Sequence, residues 1–564
     1  MFLPATRKEM HALGWDRLDI VLVTGDAYID SPHIGVAVVG KALVHAGFRV
    51  GIISQPDVAT GDDIMRLGEP ELYWGVTSGS VDSMVANYTP LKKPRRTDDY
   101  TPGGMNTRRP DRATIVYTNL IRRHAGRRAF VVLGGIEASL RRIAHYDYWS
   151  DAMRRSILLD AKADVIVYGM GEYTAVELAR RLAAGRDYRD MRGICYVADT
   201  PPEGCVTLPS FEMVHADADA LTDMFHLFAR YSDPTSGTVM CQQHSGRILV
   251  HNPPWPTPGT NELDEVYGLG YEREVHPLDR SRGEVRAIET IRFSLTTHRG
   301  CAGGCSFCSI AVHEGPVVSR SARSIVEEAG RMASHPRFRG IITDVGGPSA
   351  NMYGLTCTKG RSPACTQTRC LFPRPCPHLK ADHRAQVDLL RTLRGMERVR
   401  KVFVASGIRH DLVFSDPSGA MAYMEELAAH HVSGQIKLAP EHCVERVLAL
   451  MAKPGTDHLL EFRRIFEEMS RRFGKSQYLT YYFMAAHPGC TTSDMSALRA
   501  YALRHLGLVP EQVQIFTPTP STWSTLMYRT GRDPFTGETI FVEKSLKGKR
   551  HQKDILTARR HGHR

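Results

Sequence analysis

IRFSLTTHRGCAGGCSFCSI, residues 291–310, decides how this chain is read. IRFSLTT (291–297) has the apolar, β-branched character of a strand, and the loop behind it carries Cys301, Cys305 and Cys308. Three and two residues separate these cysteines, and thiolates so closely spaced can converge on one cluster. Gly303 and Gly304 let the backbone fold tightly around it. A zinc site usually has four protein ligands, often in paired C-x-x-C groups. Here three ligands are followed by a gap up to Cys357, which leaves one iron open to a substrate or cofactor.

Working outward, a strand–helix alternation starts at residue 286. Further strands are expected at GIITDVG (340–346), KVFVASG (401–407), QIKLAP (435–440), YLTYYFM (478–484) and QVQIFTP (512–518). Helices fit at 321–334, 381–396, 418–430, 442–451, 457–472 and 493–506. Six βα units of this spacing predict a partial (β/α)6 barrel over 286–520, with its chemistry on the loops after the strands. The unusual residues fall on those loops: the cysteines, GGPSAN, SGIRHD, LAPEH, AAHPGC and TPTPST.

Residues 1–200 alternate in the same way. Strand candidates are 19–23, 50–54, 72–78, 129–135, 164–169 and 193–197, with helices at 36–47, 113–125 and 175–185. Continuous apolar strands between helices imply an α/β domain with a doubly wound parallel sheet. The polar segment 89–112 reads as an excursion from it. Residues 201–285, with four prolines in six residues from Pro253, read as a strap between domains, and 521–564 as a basic extension.

The 564 residues, 42% hydrophobic and 24% charged, suit a multidomain globular protein. No apolar stretch is long enough to span a membrane and the N-terminus lacks a signal-peptide core, so a cytoplasmic location with no membrane partner is expected. Twelve cysteines in a reducing compartment do not make a disulfide framework, and seven of them lie between Cys301 and Cys376. The net charge of +11 concentrates at 91–112 and 543–564, either of which could meet a polyanion such as RNA or be a solvated loop and tail.

CAGGCSFC (301–308), with Phe307 before the last cysteine, resembles the signature of the radical S-adenosylmethionine (radical SAM) superfamily. GDAYIDSP, GGIEASLRRIAHYDYWSD, VYGMGE, LAPEH, AAHPGCT and TPTPSTWSTLMYRTGRDP, spread from residue 25 to about 534, resemble its YgiQ family. The resemblance implies a 4Fe–4S cluster on Cys301, Cys305 and Cys308, with S-adenosylmethionine on the fourth iron. It also implies reductive cleavage to a 5′-deoxyadenosyl radical that abstracts hydrogen from an unidentified substrate, and a one-electron reductant such as flavodoxin or ferredoxin. A non-enzymatic iron–sulfur electron carrier or a metal-stabilised RNA-binding protein is the alternative.

Gly346 and Gly347 stand where related enzymes hold the methionine amino group, although Pro348 replaces the usual acidic residue. Ser406 and Arg409, with Asp411, are candidates for the ribose hydroxyls or the carboxylate. Glu441, His442 and His487 could face the cavity as acid–base groups. Cys357, Cys365, Cys370 and Cys376, in an insertion over 351–380, suggest a second metal, either zinc or iron–sulfur. The N-terminal domain resembles cobalamin-binding domains in topology, but its Asp30-Ser31-Pro32-His33-Ile34-Gly35 has the wrong spacing for their Asp-x-His-x-x-Gly motif, which argues against cobalamin.

Overall fold

A computed structural model of the chain describes residues 1–360, 365 and 369–558. It divides into two compact units. One comprises Met1–Thr257 with Glu265–Arg292, and the other Pro258–Asp264 with the chain from Phe293 onward.

The first unit is built on β1 (Ile20–Thr24), β2 (Val50–Ser54), β3 (Tyr73–Thr77), β4 (Val131–Leu133) and β5 (Val165–Val167). All five residues of β1 and of β2 are buried, because helices such as α1 (Gly35–His45), α2 (Ala113–His124) and α3 (Glu172–Ala183) cover the sheet. These five strands are parallel in the order β2-β1-β3-β4-β5, which reverses direction beside β1. Four more strands continue the sheet: β6 (Ile194–Ala198), β7 (Val206–Leu208), β8 (Met240–His244) and β9 (Arg247–His251). They extend it in the order β5-β6-β9-β8-β7, with β6 antiparallel to β5 and β9 antiparallel to both neighbours. The sheet is therefore mixed rather than wholly parallel.

Two expectations change here. Much of 201–285 is not a strap, since β7, β8 and β9 belong to the sheet and Glu274–Val275 pairs with Ile29–Asp30. The prolines at 253–258 interrupt pairing only where they stand. Nor is 89–112 solvated throughout: 93–97 are exposed, but other parts of it are buried. Arg109 is buried between Asp26, at 2.6 Å, and Asp98, at 3.1 Å, beside the point where the strand order reverses. Arg112 pairs with Asp147 at 2.8 Å. A guanidinium can be buried when carboxylates replace its water, as Asp26 and Asp98 do for Arg109.

In the second unit β10 (Ser294–Thr296) carries the cysteine loop at its C-terminal end. The other strands are β11 (Ile341–Ile342), β12 (Asp344–Gly346), β13 (Lys401–Val402), β14 (Gln435–Glu441), β15 (Tyr478–Ala485) and β16 (Val513–Ile515). Pairing is parallel and follows chain order: β10 with β12, β11 with β13, Ile408 with Leu438, then β14-β15-β16. Helices separate them, among them α4 (Ala322–Ala333), α5 (His383–Arg394), α6 (Glu445–Met451), α7 (Asp457–Arg472) and α8 (Thr492–Tyr501). Ser321 caps α4 and a Thr491/Asp494 capping box starts α8, so each helix begins directly off its loop.

The C-terminal residues also pack. α9 (Trp523–Thr530) and α10 (Leu546–Thr557) follow β16, and α10 buries Lys549, Gln552 and Leu556. Of the expected basic extension, 559–564 lie outside the described residues. Among the described residues no helix is long and apolar enough to cross a membrane.

Candidate active site

The cysteine loop is held from several directions. Gly300 N–H donates to Glu314 Oε2 at 2.8 Å and Cys301 N–H to Gly315 O at 3.2 Å. Ser306 N–H donates to Met451 O at 3.0 Å, and Ser306 O accepts from Ser524 N–H at 2.9 Å. Gly304, at φ +59°, makes the left-handed turn that returns the chain towards Cys305.

The position a β-carbon on Gly303 would occupy lies 3.3 Å from Cys301 Sγ, 3.6 Å from Cys305 Sγ and 2.6 Å from Arg409 Nη1. Two thiols and a guanidinium thus share one small space that only glycine leaves open. Burial pushes the Cys308 thiol up to about 12 and raises Cys301, so without a metal both stay protonated. Thiolates in this loop would need the positive charge of a metal centre.

Among the described residues no three Cys, His, Asp or Glu side chains converge closely enough to hold a single ion. A cubane presents its irons at separate corners, so its thiolates stand farther apart than the ligands of one ion. The donor set of the 301–308 loop, three thiols beside a fixed cation, therefore fits a cluster. In the insertion, Cys357 and Cys365 are exposed, Cys370 and Cys376 are partly buried, and Cys376 N–H donates to Cys370 O at 2.8 Å.

Arg409 is the most constrained of the other expected residues. Its Nε and Nη2 donate to Asp411 at 3.0 and 2.6 Å, and Nη1 points to Cys305 Sγ at 3.6 Å. Burial opposes both charges, yet their mutual attraction outweighs it, holding the Asp411 carboxyl well below its usual range and Arg409 above its own. Asn351, which the sequence reading passed over, fixes the Arg409 backbone by accepting from its N–H at 2.9 Å and donating to its carbonyl at 3.0 Å.

Asp344, also missed, ties two loops together. It accepts from the Ala405 and Ser406 N–H groups at 2.8 and 3.1 Å and from the Ser406 hydroxyl. Ser406 therefore has its proton committed. The Gly346 carbonyl accepts the Thr297 N–H at 2.7 Å and the Thr297 hydroxyl at 3.2 Å, so its lone pairs are engaged, whereas the Gly347 β-position lies 2.6 Å from the His298 ring.

Glu441 ends β14 at φ +66°, a conformation costly for a side-chain-bearing residue. Its carboxyl is mostly buried, with Lys453 Nζ 3.9 Å away, and desolvation raises its pKa against the pull of Lys453 and Arg409. His442 and His487 do not suit free acid–base groups. His487 Nδ1–H donates to Pro488 O at 2.8 Å, which leaves Nε2 to accept from Ser524 Oγ at 2.7 Å. His442 Nδ1 accepts from Val444 N–H at 3.1 Å while Nε2 meets Cys490 Sγ at 3.6 Å. With both ring nitrogens engaged, these histidines brace the loops.

Residues 2–294 match the family described as Radical SAM N-terminal. A UPF0313 protein of Fusobacterium nucleatum is 49% identical over 99% of both chains, and one of Thermotoga maritima 48% identical over 100% of this chain and 99% of its own. The Geobacter sulfurreducens relative is 50% identical over 98% and 92%. This chain belongs to the YgiQ (UPF0313) family of radical SAM proteins. The YgiQ-family chain is a radical SAM enzyme whose substrate is unknown.

Among solved structures, the radical SAM methyltransferase TsrM of Kitasatospora setae, with cobalamin and a [4Fe–4S] cluster bound, matches at a TM-score of 0.50 and 16% identity, over 89% of this chain and 73% of that one. This likeness is one of fold. It overturns the expectation against cobalamin, which rested on the spacing of Asp30 to Gly35 alone. A fold also found around bound cobalamin cannot be denied the cofactor because one ligand motif is displaced.

Proposed function

We propose that Cys301, Cys305 and Cys308 of this YgiQ-family enzyme hold a 4Fe–4S cluster at the mouth of a partial (β/α)6 barrel, with S-adenosylmethionine on the remaining iron. When bound, the pair supplies reductive cleavage of the sulfonium to a 5′-deoxyadenosyl radical that takes hydrogen from the substrate. The observation that carries the reading is the convergence of Cys301 Sγ, Cys305 Sγ and Arg409 Nη1 around Gly303.

The chain's own residues orient the ligands and keep them dry. Asp411 clamps one edge of the Arg409 guanidinium, leaving Nη1 directed at the cysteine loop, where it can meet a carboxylate. Asp344 holds the third-strand loop against the second, which fixes Ser406 against Gly346. Glu441 presents a mostly buried carboxyl on the neighbouring loop, suited to an amino or hydroxyl donor. Electrons would come from a one-electron donor such as flavodoxin or ferredoxin, in the cytoplasm.

The test is anaerobic reconstitution, reduction, and assay for 5′-deoxyadenosine and methionine, with and without added cobalamin. Both products should form and should vanish in C301A, C305A and C308A. A reduced, cluster-loaded protein that leaves S-adenosylmethionine intact would overturn the proposal.

A further inference from the structure

Arg369 comes from the cysteine-rich insertion and ends on the cluster loop. Its Nη2 donates to Ser306 Oγ at 3.1 Å, and Ser306 lies between Cys305 and Cys308. The guanidinium carbon stands 4.5 Å from the centre of the Phe535 ring, which packs on Trp523 at 4.8 Å. Two residues on, Leu371 is 1% exposed in a small apolar core with Ala302, Met352, Leu355 and Leu412, and Cys301 and Cys370 pack against that core. The insertion thus meets the cluster loop twice, through a polar contact beside Cys305 and an apolar one beside Cys301.

Desolvating a guanidinium is costly, and here a hydroxyl and a flat aromatic face replace part of its water. Such an arrangement persists only when the surrounding chain is held in place. Iron–sulfur chemistry also depends on how far solvent reaches the sulfurs.

We propose that the segment Arg369–Leu371 is a cover over the cluster loop, and that Arg369 is the positioning residue that holds it closed against water. The inference rests on the cluster reading above and adds what shields that cluster. Ser306 is the fixed half of the latch, because its own backbone is bound to Met451 and Ser524.

The experiment uses the full-length protein, loaded anaerobically, as wild type, Arg369→Ala, Arg369→Lys and Phe535→Leu. Two quantities are followed: the rate of iron loss to a chelator, and the deuterium coupling to the reduced cluster by pulsed EPR in heavy water. Arg369→Ala should lose iron severalfold faster and show stronger deuterium coupling. Arg369→Lys, which keeps a charged N–H donor but loses the planar guanidinium, should fall between it and wild type, and Phe535→Leu should open the cover from its other side. If Arg369→Ala does not load, Phe535→Leu carries the comparison, since it leaves the cluster loop intact. Variants that match wild type in both readouts, in a protein that still cleaves S-adenosylmethionine, overturn the cover alone. A wild-type protein that takes up no cluster overturns the underlying reading as well.

Discussion

Arg409 Nη1 lies 3.6 Å from Cys305 Sγ while Asp411 grips the opposite edge of the same guanidinium. The consequence is a cation that cannot swing away from the cysteine loop, since Asn351 fixes its backbone as well. A side chain on a surface loop would be free to leave. Here the charge is pre-oriented before any ligand arrives.

Removing the clamp should therefore be expensive. Asp411→Ala leaves Arg409 buried without its carboxylate, with an expected loss of about 3–5 kcal/mol in urea unfolding. Because Arg409 holds the Asp411 carboxyl below its ordinary range, the stability it contributes is complete at neutral pH. It should be lost as pH falls below about 4, towards the folded-state value. The Ala variant should lack that acid limb.

Two glycine substitutions should separate binding from folding. In Gly303→Ala the new methyl meets Arg409 Nη1, the end of a long side chain, and the two sulfurs. Because Asp411 and Asn351 hold that guanidinium in place, the clash falls on the cysteine loop itself, and iron uptake per chain should fall severalfold. In Gly347→Ala the methyl meets the fully buried His298 ring at 2.6 Å and the His298 carbonyl at 2.8 Å. That overpacking should cost about 1–3 kcal/mol in the same unfolding measurement.

Buried neutral histidines should make the protein acid-sensitive. Burial pushes His145, His244 and His442 down to about 4 and His487 to about 3. Each binds a proton in the unfolded chain near pH 6.5 but not in the folded one. Stability should fall as pH drops from about 6.5 towards 4, by up to about 1.4 kcal/mol per pH unit for each such group. Thermal midpoints against pH should show this slope, shallower in His442→Gln.

The helix Leu546–Thr557 should behave as part of the packed structure. Gln552 accepts from Ala486 N–H at 2.9 Å and donates to Cys490 O at 3.0 Å, bracing the loop that also carries His487. Gln552→Leu strands both groups and should cost about 1–3 kcal/mol for each, read by chemical denaturation.

Much of this architecture was legible in the residues. Runs such as DIVLV and VGIIS are continuously apolar because both sheet faces are covered, and β1 and β2 appear there. The cysteine loop was readable because its spacing and glycines are local properties. What the residues hid was long-range. Asp344 reads as an ordinary strand-end acid until Ser406 is seen against it. Nothing near Arg109 reveals that Asp26, far away in the chain, neutralises it, so 89–112 read as solvated. The short strands β7, β8 and β9 lay behind a proline-rich run whose influence was extended too far along the chain.

Every step proposed at this site requires three thiolates that leave one iron free. The reduced, reconstituted wild-type protein should be examined by EPR before and after S-adenosylmethionine is added. A cluster is expected at the Cys301–Cys308 loop, with a spectrum that changes when the sulfonium amino acid binds. A spectrum that stays the same at saturating S-adenosylmethionine would contradict it.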